Sequence, residues 1–246
     1  MTSQQKNHRG QAQTSTRRGP RVTVIDLGIS NTHSVANALR SLGADVSIAM
    51  HGKEITRSQR LILPGVGAFR EGIERLHERG FATVLRRHQQ DGTPLLGICL
   101  GMQLLFTDGS EFGPAEGLGL IAGHVRAIPR PALRRSPVKI PHVGWDVVAL
   151  DRRHPLLSGL GESFYGYFLH SFRALPTNPD DCWATCTYGP HSICAVAGNG
   201  SVMGTQFHPE KSGPAGLQIL QNFIDIPVSR EEAKHARDQR PGVRAS

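Results

Sequence analysis

The sequence predicts an α/β protein: a doubly wound, mostly parallel sheet with flanking helices, and a smaller antiparallel β portion in the second half. Three observations lead there. Between Val22 and Ile98, short apolar runs that stop at glycine or proline alternate with stretches of helical spacing, the pattern of parallel βαβ units. After Gly109 that spacing gives way to short strands and glycine turns. The 246 residues suffice for one domain of roughly 200 residues with tails.

Residues 22–26 read as the first buried strand, stopped by Gly28, and residues 34–43 as a helix ending on the glycine expected beyond a helix C-terminus. Residues 44–50 form a second strand, and Leu61, Ile62 and Leu63 a third, broken by the turn 64–67. Residues 69–90 carry a helical stripe of Ile73, Leu76, Phe81, Val84 and Leu85, with Gly80 as a break. Residues 94–98 are the fourth strand, running into a helix at Met102. In the second half, strands are expected at 117–120, 143–148, 165–170, 184–188, 193–197 and 202–207. A closing helix over 215–224 should bury Leu217, Ile219, Leu220 and Phe223. The expected organisation is a basic disordered arm over 1–20, the folded body over 21–225 and a mobile charged tail over 226–246.

The formal charge of +8 raises nucleic acid as a partner until it is located. Residues 1–21 carry +5 and residues 230–246 carry +2, leaving +1 for the body. No aromatic residues interleave with the basic ones as a stacking surface requires, so nucleic acid is not expected. No apolar stretch reaches the length of a membrane span and no signal-peptide core is present, which points to the cytoplasm. The cysteines at 99, 182, 186 and 194 are then expected as free thiols. The last three match no paired ligand spacing and sit in strand-like sequence, so apolar burial is preferred to a metal site.

Chemistry centres on Gly97-Ile98-Cys99-Leu100-Gly101. Glycine on both sides of a cysteine lets a strand turn sharply into a helix and present the thiol at the helix N-terminus, where the dipole favours thiolate. By itself the pentapeptide fits a buried structural cysteine as well as a nucleophile. A nucleophile needs a base and a group to orient it. His208 and Glu210, two apart in what reads as extended chain, point the same way and meet that need. His170 is the rival base, with no acid paired to it locally. For the oxyanion, the N–H of Leu100 is the first donor and the glycine-flanked backbone at Gly65, Val66 and Gly67 the second.

The elbow with Met102-Gln103, together with residues 206–212 (Gln-Phe-His-Pro-Glu-Lys-Ser), resembles the class I glutamine amidotransferases. Residues 63–69, 141–146 and 167–172 narrow the resemblance to the glutaminase subunits of imidazole glycerol phosphate synthase, over residues 22–224. It implies that Cys99 attacks the side-chain amide of glutamine, with His208 as base and acid and Glu210 orienting it. Gln103 and Glu111 would stand near the amino-acid end of the substrate, and the backbone of His170, Ser171 and Phe172 near its carboxylate. Trp145 and Lys211 match positions at the interface with a (β/α)₈ cyclase partner, in a heterodimer that receives the ammonia. No metal or organic cofactor is implied. The opening motif departs from the family's Asp-Tyr-Gly-x-Gly-Asn-Leu-x-Ser at Leu27, Ser30 and Thr32. That departure keeps open a paralogue serving a different synthase partner, and a silent interaction protein of the same fold remains a third reading.

Overall fold

The computed structural model describes residues 19–228 apart from Ser30, Thr56, Arg57 and 131–137. The arm expected over 1–20, except Gly19 and Pro20, and the tail expected beyond Val228 lie outside the described residues, as does the replaced Ser30. In chain order the elements are β1 (Arg21–Ile25), α1 (Thr32–Ser41), β2 (Asp45–Ala49), β3 (Leu61–Gly65), α2 (Phe69–Glu78), α3 (Phe81–Gln90), β4 (Leu95–Cys99) and α4 (Leu100–Leu104). Then follow β5 (Phe106–Gly109), β6 (Ala115–Glu116), β7 (Ile121–Ala127), β8 (His142–Leu150), β9 (Ser163–His170) and β10 (Phe172–Pro176). The chain closes with β11 (Cys182–Tyr188), β12 (His191–Asn199), β13 (Val202–Thr205) and α5 (Gly213–Asp225).

One nine-stranded sheet, in the order β2-β1-β3-β4-β13-β12-β11-β8-β9, runs through the molecule, beside a four-stranded sheet β10-β7-β5-β6. From β2 to β13 neighbouring strands are parallel; from β13 to β9 they are antiparallel. The antiparallel portion thus continues the central sheet. Strand alternation divides the core into two layers. Val22, Val24, Ile62, Leu96 and Ile98 face α1 and α5 on one side. Ile25, Leu61, Leu63 and Leu95 face α2, α3 and the smaller sheet on the other.

Gly80, at φ 70°, separates α2 from α3 as the sequence predicts. Pro64 is accommodated inside β3 instead of ending it, because pairing with β1 stops at Ile62 while pairing with β4 continues to Gly65. Three expectations are corrected. Residues 117–120 are no strand: the N–H groups of Leu118, Gly119 and Leu120 bond the carbonyls of Leu104, Phe106 and Leu105, wrapping the end of α4. The last strand stops at Thr205, since Gln206 and Phe207 turn the chain into the His208 corner. On α5, Ile219, Leu220 and Phe223 are buried, but Leu217 falls on the outer face and is 36% exposed.

Phe207 ties the two halves of the sheet together. Its ring is fully buried and edge-on to Phe164 and Phe168 of β9, with centroids 5.4 and 5.8 Å away. Phe207→Ala is expected to lower unfolding free energy by about 3–5 kcal/mol. Urea denaturation checks this; a midpoint within error of the wild type would show that the ring fills no essential volume.

Candidate active site

The nucleophile position is built by backbone sterics. Cys99 ends β4 at φ 54° and ψ −110°, left-handed backbone that a non-glycine residue seldom adopts. The turn is possible because its flanks carry no side chains. A Cβ on Gly97 would lie 2.6 Å from the Gly101 oxygen and the Met102 nitrogen, and one on Gly101 would run into the Leu63 carbonyl of β3. Gly65 pairs directly with Cys99 across the sheet and is less tightly confined, a Cβ there standing 3.0 Å from the Gly101 nitrogen and 3.1 Å from Leu100. The helix that follows is shorter than the sequence suggests. It has five residues before the chain enters β5, so few aligned peptides contribute a dipole at Cys99.

His208 and Glu210 meet, though not through extended chain. Pro209–Lys211 is a single 3₁₀ turn, and it brings His208 Nδ1 within 2.9 Å of Glu210 Oε1. Asn31 Nδ2 donates to the same oxygen at 3.1 Å. The Ser212 hydroxyl donates to the His208 carbonyl at 2.6 Å, and the His208 N–H bonds the Tyr167 carbonyl at 2.9 Å. With backbone and Nδ1 both tied, Nε2 is the ring atom left for chemistry; it has no hydrogen-bond partner among the described residues. Burial opposes a charge on this ring, yet its interactions with Cys99 and Glu210 prevail and raise it to about 9. The thiol itself donates to the Leu169 carbonyl at 3.7 Å and receives Gln206 Nε2 at 3.9 Å.

In front of Cys99 lies a cavity of about 220 Å³, of a size for an amino acid more than for a peptide chain. Val66, Gly67, Leu100, Gln103, Glu111, His170, Ser171 and Phe172 all line it, as do Pro141 and Leu169. Gly65 lies behind it in the sheet. The Val66 N–H is turned to the Ile29 carbonyl at 3.4 Å, beside Gly67 at φ 101°, so that peptide must rotate before it can serve an oxyanion. Gln103 spends both Nε2 hydrogens inside the protein, on the Phe172 carbonyl at 3.0 Å and Gln206 Oε1 at 2.9 Å. Only its Oε1 is left to face a ligand, as an acceptor suited to an ammonium. Glu111 Oε2 accepts from the Phe69 N–H at 2.8 Å, capping α2, which pins the carboxylate at the cavity wall.

His170 is no rival base. Its Nδ1 bonds the Phe172 carbonyl at 2.8 Å, its Nε2 meets His142 Nδ1 at 3.0 Å, and burial lowers it to about 3. Trp145 and Lys211 lie outside the cavity, on the outer face of β8 and β9, where both contact the Tyr167 ring, Lys211 Nζ at 5.7 Å from its centroid. Asn31, His142, Asp146, Tyr167 and Gln206 are the site neighbours the sequence reading assigned no part. Each lies in a stretch that carried the resemblance: Asn31 in the opening motif, His142 and Asp146 in 141–146, Tyr167 in 167–172 and Gln206 in 206–212. Of that motif's described replacements, Leu27 and Thr32 are buried. The four cysteines are free thiols. Among the described residues, one group of metal-type donors, His142, Asp146 and Cys186, comes within 4.8 Å. A larger open groove of about 780 Å³ lies between Leu150 and Glu162, away from Cys99.

Comparison with known proteins agrees with this architecture. The family "Glutamine amidotransferase class-I" matches residues 23–226. The chain is 45% identical over 210 residues to the imidazole glycerol phosphate synthase subunit HisH of Geobacillus thermodenitrificans, covering 85% of this chain and 98% of that protein. It is 40% identical to HisH 1 of Legionella pneumophila strain Lens, covering 83% and 99%. Among solved structures, PurLQS from Thermotoga maritima aligns with a TM-score of 0.66 at 19% identity, over 84% of this chain and 98% of that one. A crystal structure of a glutamine amidotransferase aligns at 0.63 and 20% identity, over 82% and 98%; at such identities both speak for the fold alone. Carrying that fold and this level of identity along nearly the whole length of its relatives, the chain belongs to the class-I glutamine amidotransferases, among the imidazole glycerol phosphate synthase HisH subunits.

Proposed function

We propose that the chain is the glutaminase subunit of a two-chain synthase, hydrolysing glutamine through a Cys99 thioester and passing ammonia to a (β/α)₈ cyclase. The printed names of its relatives supply the synthase. The observation that carries the chemistry is the strained Cys99 elbow facing a His208 that is charged at neutral pH and locked to Glu210. The ring's elevated pKa lets His208 hold the proton that Cys99 gives up on attack. Sγ attacks the side-chain amide carbon of glutamine, and the oxyanion is met by the Leu100 N–H and the rotated peptide at Val66. His208 Nε2 gives its proton to the departing nitrogen, which leaves as ammonia. The ring, now neutral, takes a proton from water as that water attacks the thioester; glutamate departs and the resting pair returns. In the cyclase, ammonia enters the step that forms imidazole glycerol phosphate and aminoimidazole carboxamide ribotide.

The outer face of the β8–β9 hairpin suits that partner. Val143 pairs with Leu169, Trp145 with Tyr167 and Val147 with Tyr165. Val143, Trp145, Val147, Tyr165 and Leu169 are exposed together, an apolar patch whose opposite side on β9 buries Phe164, Gly166, Phe168 and His170. Lys211 over Tyr167 borders it with a positive charge. The strands bearing this patch also carry Leu169 and His170 to the cavity wall, so docking acts on backbone that lines the glutamine site.

Four outcomes are expected. Cys99→Ala should abolish glutamate release with and without a cyclase and its nucleotide ligand, measured by coupled assay. Because His208 is held up to about 9, kcat/KM for glutamine should fall as pH rises through that value. Glu210→Gln, lacking the countercharge, should bring the alkaline limb to lower pH, and an unmoved limb would show that Glu210 does not support the imidazolium. Trp145→Ala should weaken cyclase binding by about 2 kcal/mol or more, read by calorimetry, while circular dichroism stays unchanged.

A further inference from the structure

A line of hydrogen bonds runs from the solvent side of β8 to the thiol. Asp146 Oδ2 lies 2.7 Å from His142 Nε2, and His142 Nδ1 lies 3.0 Å from His170 Nε2. His170 Nδ1 reaches the Phe172 carbonyl at 2.8 Å. That carbonyl also accepts from Gln103, Gln103 donates to Gln206, and Gln206 points at Cys99 Sγ. His142, His170, Gln103 and Gln206 are buried, while the Asp146 side chain is 40% exposed. The line therefore has one wet end and one end at the nucleophile.

Its first three contacts need one hydrogen each. The Phe172 carbonyl only accepts, so His170 Nδ1 carries a hydrogen. With His170 neutral, its Nε2 accepts and His142 Nδ1 must donate. His142 Nε2 then faces Asp146, and a neutral imidazole and a carboxylate would meet there lone pair to lone pair. Two neutral imidazoles bring two hydrogens to three bonds; the third is an additional proton. It fits between His142 and Asp146, the shortest of the three contacts. We propose that Asp146, through a proton shared with His142, is a positioning residue of the glutaminase. It holds His170 and the Phe172 carbonyl, and with them the Gln103–Gln206 pair beside the thiol. This rests on the glutaminase reading of the site.

The surroundings set the sign of the pH effect. Burial lowers His142 from its usual value, opposed by Asp146. Phe168 of β9 and Tyr188 of β11 stack on the His142 ring, and Cys186 of β11 faces Asp146 with its thiol pushed up to about 12 by burial and by that carboxylate. His208 acts on His170 as a nearby positive charge. The shared proton is thus held on the acid side and lost as pH rises through a value below the usual 6.5 for histidine. Its loss opens the line and loosens the pocket.

The test is glutamine turnover of the full chain with its cyclase, from roughly pH 5 to 8 for the shared proton and onward past the His208 value. Wild type should show KM for glutamine rising with pH in this range. In Asp146→Asn the amide donates to His142 Nε2 without any extra proton, so KM should stay low and flat. Asp146→Leu cannot donate, and its KM should be raised about tenfold at every pH. The His208 limb near 9 should persist in all three. A wild-type slope retained in Asp146→Asn, or an Asp146→Leu enzyme with wild-type KM, would overturn the proposal. So would stoichiometric zinc on the wild type that disappears in Cys186→Ser, which would give the group to a metal. Absence of glutamate release from the wild type would instead sink the glutaminase reading.

Discussion

The structure depends on a backbone turn with no room for side chains. β3 and β4 run side by side to the same edge, where Gly65 pairs with Cys99 and the chain folds back over Leu63. Two glycines, at 97 and 101, let these backbones approach more closely than any Cβ permits, and Gly65 beside them leaves little room for one. The cost is a non-glycine residue at φ 54°, and neighbouring order must offset it. The parallel half of the sheet provides that order, with Leu96 and Ile98 buried in one layer and Leu95 in the other. A thiol held in this way cannot relax away from the site, so the strained turn keeps the buried Cys99 at the cavity wall.

The antiparallel half supplies both hydrogen-bond partners of the thiol, the Leu169 carbonyl and Gln206. β13 lies beside β4 in the sheet, so the chain beyond Thr205 delivers Gln206 and His208 to Cys99 within a few residues. β9 reaches the same place from the far edge and contributes the Leu169 carbonyl, His170 and the wall formed with Ser171 and Phe172. Its outer face is the exposed apolar patch. One strand therefore carries exposed apolar surface on one side and a pocket wall on the other, so the two are joined through a single stretch of backbone.

Electrostatics in the site follow from burial combined with fixed partners. His208 and His170 are both buried histidines, and their fates diverge. His208 has a carboxylate on Nδ1 and a thiol within its field, so its charged form prevails despite desolvation. His170 has a carbonyl on one nitrogen and a second imidazole on the other, neither of which can support a full positive charge, and desolvation decides. The base and its rival in the sequence are separated by what their ring nitrogens touch.

The strand and helix alternation of the first half, the glycine break at Gly80 and the glycine-flanked cysteine were legible in the sequence, because each is local: periodicity, a left-handed φ and a steric exclusion act within a few residues. The His-Pro-Glu pair was legible too, though its 3₁₀ geometry was not. Tertiary structure alone decided that residues 117–120 wrap a helix end, that Leu217 points outward, and that Asn31 shares the Glu210 carboxylate with His208. It also decided that Gln103 and Gln206 pair beside the thiol and that His142 stands behind His170. These contacts join residues far apart in the chain, and a polar side chain's role is set by the partner it meets once water has been excluded.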